Sequence, residues 1–169
     1  MKPALLVIDV QNAFFPYMAE EHRKIAPFII NLAIDLFRVR KLPLFSIYHT
    51  DPLRGPSPDS HEFAYDPAIK ITSDDIRIVK NFPNSFNHTQ LERLLHDAGC
   101  DTVFLCGLSS TGCVLATYFG AKDLGLKTFL IKDALLGPRV AYTDCVENIC
   151  DSVNVNVLQE ILASLSQVA

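Results

Sequence analysis

Residues 102–121, TVFLCGLSSTGCVLATYFGA, decide the fold. The first five are a short apolar, β-rich run. Residues 107–112 are a turn of small residues, and 114–121 read as the first turns of a helix. Strand, tight turn and helix in that order make the repeating unit of a parallel sheet. Cys113 stands where the turn becomes the helix. A thiol there faces the positive end of the helix dipole and unpaired backbone N–H groups, so its thiolate is expected to be favoured. The same N–H groups can hold a developing oxyanion. The plainer assignment, a small buried core residue, describes most free cysteines.

The pattern repeats on both sides of this stretch. Residues 4–10 (ALLVIDV) are a continuous apolar run ending near Asp9, as expected of a strand buried on both faces. A helix is predicted over 21–41, with Ile25, Phe28, Ile29, Leu32, Leu36 and Val39 forming its apolar stripe. Pro27 is expected near its regular start. Residues 44–49 (LFSIYH) form the second strand, and 49–72 a long loop with four prolines, of the kind that carries function. Residues 76–79 form the third strand, closed by Lys80. Thr89 and Glu92 fit a capping box for a helix over 90–98, with Gly99 as its C-terminal stop. Further strands are expected at 127–131 and 153–157, and helices at 140–150 and 158–165. Alternation throughout predicts an α/β fold, a six-stranded parallel sheet between two layers of helices, as one domain over 1–169.

Composition bounds the function. The chain has 169 residues, 49% of them hydrophobic and 20% charged, with a net charge of −4. Nothing in this balance calls for nucleic acid or an anionic membrane as partner. No apolar run is long enough for a bilayer, and Asp9 interrupts any signal-peptide pattern. Five cysteines without C-x-x-C spacing fit a reducing cytoplasm. No G-x-G-x-x-G follows the first strand and no G-x-x-x-x-G-K occurs, which disfavours dinucleotide and P-loop sites.

Asp9, Lys80 and Cys113 each sit at or just past the C-terminal end of a strand. A parallel sheet gathers such ends along one edge, where α/β folds build their sites. The three are chemically complementary. A carboxylate takes the proton of a thiol nucleophile, and an ammonium steadies both.

These residues carry a resemblance. The blocks ALLVIDVQNAFF (Asp9, Gln11, Asn12, Phe14), VKNFPNSFNHTQLERLL (Lys80, Ser85, Phe86, Thr89, Leu91) and VFLCGLSSTGCVLATYFGAKDLGLKTFLIKDA (Gly107, Cys113, Val114, Thr117, Ala121, Gly125, Asp133) resemble the isochorismatase-like cysteine hydrolases. That superfamily includes nicotinamidases and N-carbamoylsarcosine amidohydrolases. The resemblance runs from about residue 4 to 160 and implies a three-layer, Rossmann-like fold. It implies a catalytic triad of Asp9, Lys80 and Cys113, a cis peptide between Leu108 and Ser109, and an oxyanion hole from the N–H groups of Ser109 and Cys113. The implied activity is hydrolysis of a small amide-like, non-peptide C–N bond through a thioester, in a protein that assembles as a homo-oligomer. Retention of Cys113 argues against isochorismate itself, because vinyl-ether hydrolysis needs only the acid. Pocket walls are expected from Gln11, Phe14, His49, Phe82, Phe86 and Tyr118. No cofactor is expected. Nicotinamidase-type members bind zinc or a similar ion through an Asp-x-His pair and a further His, and here His49, Asp51 and His61 offer those residue types in reversed order. A metal-dependent nicotinamidase-type amidase is thus one alternative, and a non-catalytic or redox-sensing member of the fold another.

Overall fold

The computed structural model describes residues 1–165. Its six strands are β1 (Pro3–Ile8), β2 (Leu44–His49), β3 (Ile76–Lys80), β4 (Thr102–Leu108), β5 (Lys127–Leu136) and β6 (Ser152–Val153). Its helices are α1 (Glu20–Val39), α2 (Leu91–Asp97), α3 (Leu115–Asp123), α4 (Val140–Ile149) and α5 (Val155–Leu165). All strand pairings are parallel, in the order β3-β2-β1-β4-β5-β6. The six-stranded α/β expectation therefore holds.

The central strands β1 and β4 are buried along their whole length because each face of the sheet carries a helical layer. Leu5, Val7, Leu44, Phe104 and Cys106 meet Ala26, Ile30, Ile34 and Phe37 of α1 and Leu158 and Leu162 of α5. On the other face Leu6, Ile8, Phe45, Ile47, Val103 and Leu105 meet Leu91 and Leu95 of α2, Val114, Tyr118 and Ala121 around α3, and Val146 of α4.

Several boundaries differ from the sequence reading. Helix α1 starts at Glu20 and passes through Pro27 without ending. Burial of Ala26, Pro27 and Ile30 against the sheet outweighs the one backbone hydrogen bond a proline removes. Strand β5 continues to Leu136. Its register on β4 jumps from Leu105↔Leu130 to Gly107↔Leu135, and this bulge carries Lys132 and Asp133, the charges that seemed to end it. Strand β6 is two residues long, and α5 begins at Val155, inside the stretch expected to be extended. Thr89 lies one residue before the N-cap of α2. Its hydroxyl accepts from the Leu91 N–H and donates to the Ser85 carbonyl, so no reciprocal capping box forms. Gly99, at φ +68°, stops α2 as expected, and the Cys100 N–H reaches back to the Leu95 carbonyl.

Two backbone features shape the edge where the site forms. Asp9 follows β1 with φ +51°, a left-handed conformation that short polar side chains tolerate, and this ends the strand. Gly107, in β4, has φ +112° and lies against Ile8 in β1. A Cβ at Gly107 would stand 2.7 Å from the Ile8 nitrogen and closer still to its carbonyl oxygen. Only glycine permits that approach.

Candidate active site

Four neighbouring strands, from the edge strand β3 to β4, bring one chemical group each to the C-terminal edge. In spatial order they are Lys80 from β3, His49 from β2, Asp9 after β1, and Cys113 after β4. The chain reverses its direction of growth between β1 and β4, which opens the crevice that α/β sheets use for ligands. Lys80 and His49 are direct register partners, so both side chains leave the sheet on the same face.

Asp9 and Lys80 are each about 1% exposed, and the Lys80 ammonium donates to Asp9 Oδ2 at 2.6 Å. The second ammonium contact is His49 Nδ1 at 3.3 Å. Asp9 Oδ1 is buried without a hydrogen-bond partner among the described residues. An Asp9 oxygen, a His49 nitrogen and Cys113 Sγ lie within 4.8 Å of one another. The three residues expected to converge thus do so, with His49 among them.

Cys113 sits in a wide turn, Ser110–Val114, immediately before α3. The Ser109 carbonyl accepts from the N–H groups of Gly112 and Val114, which folds the turn tightly around it. The Leu108–Ser109 peptide is cis, as the resemblance implied. Behind the turn Ser110 is fully buried, its hydroxyl 2.8 Å from that of Thr143 on α4.

The charge state of the thiol differs from the sequence expectation. Burial, reinforced by the Asp9 carboxylate, pushes Cys113 up to about 12, and the Lys80 ammonium only partly opposes this. Burial thus works against the thiolate that the turn position favours. Proximity to a helix start is too weak an influence, at about 0.3–1 kcal/mol for a dipole at an exposed position, to overcome desolvation. Burial likewise holds Asp9 above the usual carboxylate range, against the pull of Lys80. His49 is held below the ordinary imidazole value by burial and then by the Lys80 charge. An acid that takes up protons more readily than usual therefore faces a thiol that is hard to ionise.

Other expected wall residues fall in different places. Phe14 meets the His49 ring edge-on, with centroids 6.0 Å apart. A cavity of about 320 Å³ opens beside it, lined by Asn12, Phe14, Arg54, Pro56 and Glu62 among others. Gln11 is not a pocket residue. It is fully buried, accepting from the His49 N–H at 2.8 Å and donating to the carbonyls of His49 and Phe63 at 3.1 and 2.9 Å. Tyr118 is a core residue, 4% exposed, whose hydroxyl donates to Asp151 and accepts from that residue's backbone N–H. Phe82 is exposed against His88, and Phe86 packs half-buried on the core. A larger cavity of about 670 Å³ lies under residues 58–73 at the β2–β3 edge, lined by Tyr48, Phe63 and Arg77 among others, and shares no residue with the cluster.

Sequence reading underrated the polar pair Ser85 and Thr117. Both are fully buried, and Thr117 Oγ1 accepts the Ser85 N–H at 3.0 Å and lies 2.8 Å from its hydroxyl. A buried Thr one helical turn beyond Cys113 was the available signal.

His49, Asp51 and His61 do not converge as metal ligands. The Asp51 carboxylate accepts the N–H groups of Leu53 and Arg54, and His61 lies on an exposed turn beside Asn12. Asp9, His49 and Cys113 are the one grouping of metal-ligand types found among the described residues. The Lys80 ammonium is hydrogen-bonded to two of these three and supplies a positive charge beside them. No helix among the described residues is long and apolar enough to cross a membrane.

Comparison with known proteins agrees with this architecture. The isochorismatase domain profile matches residues 3–148, and the chain belongs to the isochorismatase family of hydrolases. It is 32% identical over 136 residues to the uncharacterized isochorismatase family protein YrdC of Bacillus subtilis, covering 79% of this chain and 73% of that one. A 72-residue stretch is 31% identical to maleamate amidohydrolase of Pseudomonas putida, covering 43% of this chain and 34% of that enzyme. The fold superposes on N-carbamoylsarcosine amidase from Thermoplasma acidophilum with a TM-score of 0.78 at 24% identity, covering 91% and 95% of the two chains.

Proposed function

We propose that the protein hydrolyses the C–N bond of a small, non-peptide amide through a thioester on Cys113. The observation that carries this reading is that a carboxylate oxygen of Asp9 lies within 4.8 Å of Cys113 Sγ, while Lys80 holds Oδ2 and Oδ1 stays buried without a partner among the described residues. Asp9 takes the thiol proton as the sulfur attacks the substrate carbonyl. The N–H groups of Ser109 and Cys113 receive the oxyanion, and each such donor typically lowers the barrier by about 2.7–4 kcal/mol. Asp9 passes the proton to the leaving nitrogen as the C–N bond breaks. It then takes a proton from water as that water attacks the thioester. The C–S bond breaks, the acid departs, and Asp9 returns the proton to the sulfur. The raised proton affinities of Asp9 and Cys113 suit this exchange, because proton and sulfur move together and no free thiolate is stored.

The amidase names of two relatives, one acting on maleamate and one on N-carbamoylsarcosine, support an amide-like substrate of this size. A soluble homo-oligomer working in the cytoplasm without a cofactor completes the reading. The redox-sensing alternative fits less well. Sensor thiols are ionised and paired with a resolving thiol, whereas burial opposes ionisation of Cys113, and Cys106, the neighbour in sequence, is fully buried with its sulfur on the Leu6 carbonyl.

The test is a panel of small primary amides and N-carbamoyl compounds, maleamate and N-carbamoylsarcosine among them, assayed for ammonia release. Turnover that disappears in Cys113→Ala, with a trapped acyl-enzyme on Cys113 seen by mass spectrometry, is the expected result. Full turnover in Cys113→Ala would end the covalent reading.

A further inference from the structure

Lys80 has three N–H donors, and two are accounted for by Asp9 Oδ2 at 2.6 Å and His49 Nδ1 at 3.3 Å. The third leaves the ammonium free to act on Cys113, whose ionised form it favours by charge and hydrogen bonding. An ammonium can only donate, so Nδ1 of His49 must be the acceptor and the imidazole must be neutral, with its hydrogen on Nε2.

The main chain that carries the imidazole is itself held in place. Gln11 grips both the N–H and the carbonyl of His49 from a fully buried position and adds a third bond to Phe63. Phe14 closes on the ring from the side. A loop-edge residue with an idle side chain has no need of such restraint.

We propose that His49 is a positioning residue, acting through Lys80: its Nδ1 is a fixed acceptor that aims the ammonium so that one N–H serves Asp9 and another serves the sulfur. Without that acceptor the ammonium turns wholly toward the carboxylate and the sulfur loses its support. This inference rests on the thiol chemistry proposed above.

The two nitrogens of an imidazole can be imitated separately. In His49→Asn the amide oxygen falls near the place of Nδ1, and in His49→Gln near that of Nε2. The probe is iodoacetamide, with the alkylation rate of Cys113 at pH 8 read by peptide mass spectrometry. Lys80→Met and His49→Leu are run alongside. We expect His49→Leu and His49→Gln to slow alkylation by about three- to tenfold, the size of one weak charge-assisted hydrogen bond. His49→Asn should retain most of the wild-type rate. In the native protein, ¹⁵N NMR of the imidazole should report the Nε2–H tautomer at neutral pH. If Lys80→Met slows the reaction while all three His49 variants match wild type, or if His49→Gln is rescued and His49→Asn is not, the positioning role is wrong. If Lys80→Met itself has no effect, the fault lies in the Lys80–Cys113 coupling of the proposed mechanism. Should His49→Leu fail to fold, the comparison of Asn with Gln still decides.

Discussion

Ser85 Oγ and Thr117 Oγ1 lie 2.8 Å apart in the interior, and this contact joins the segment that follows Lys80 to the helix that follows Cys113. Lys80 and Cys113 lie on elements separated by β2 and β1, so nothing in the sheet alone fixes the loop of one against the helix of the other. Thr117 also accepts the Ser85 N–H. Thr117→Val therefore leaves both the Ser85 N–H and the Ser85 hydroxyl without this partner, whereas Ser85→Ala keeps the N–H bond. Urea denaturation is expected to show a loss of about 2–3 kcal/mol for Thr117→Val and about 1 kcal/mol for Ser85→Ala. Equal losses would mean that the backbone bond contributes nothing.

Asp9 and Lys80 act on the Cys113 proton in opposite senses. Asp9→Asn should accelerate iodoacetamide alkylation of Cys113 at pH 8, because a negative charge beside the sulfur is gone. Lys80→Met should slow it. Both should abolish ammonia release. Asp9→Asn would then be a more reactive thiol in a dead enzyme, a dissociation that simple loss of structure cannot produce.

Stability should fall on the alkaline side. Burial raises the proton affinity of Cys113, to about 12, and also of Cys106 and Tyr65. The folded state then holds protons that the unfolded chain releases. The sign follows: stability is full below about pH 9, where an unfolded cysteine is still protonated, and declines as pH rises from there toward 12. Each thiol adds up to about 1.4 kcal/mol per pH unit to the slope. Denaturation midpoints at pH 8, 9 and 10 would show the decline, and Cys113→Ala should make it shallower.

Gln11 offers a sharper contrast than its burial alone implies. Its amide donates to two carbonyls and accepts one N–H. Gln11→Glu keeps the acceptor but turns a buried carboxylate onto the carbonyls of His49 and Phe63. It should cost about 2–4 kcal/mol, more than the near-isosteric Gln11→Met, as thermal or urea unfolding would reveal. A Glu variant as stable as wild type would show that the clamp is dispensable.

The sequence made the sheet legible because buried strands leave continuous apolar runs, and Asp9, Lys80 and Cys113 mark where those runs stop. It misled where tertiary context reversed a local signal. Lys132 and Asp133 look like the end of β5, but a bulge carries them and lets the strand go on to Leu136. Pro27 looks like a helix boundary, yet its burial keeps α1 intact. Gln11 reads as a site group because a polar residue after a strand end has no visible partner; its partners are backbone atoms of His49 and Phe63, more than thirty residues away. The protonation of Cys113 depends on burial, a property of the folded molecule. His49 beside Lys80 was hidden for the same reason, since strand register is not written in either strand separately.

Gly107 has a consequence for how such a site can change over time. Its missing side chain lets β4 touch β1 just before Asp9, and so helps to set the distance from Asp9 to the Cys113 turn. A reactive group can be exchanged and later regained, since the frame survives its loss. A methyl group at Gly107 instead parts the two strands and moves both halves of the site together. The position that is chemically silent is therefore the one with the least room to drift.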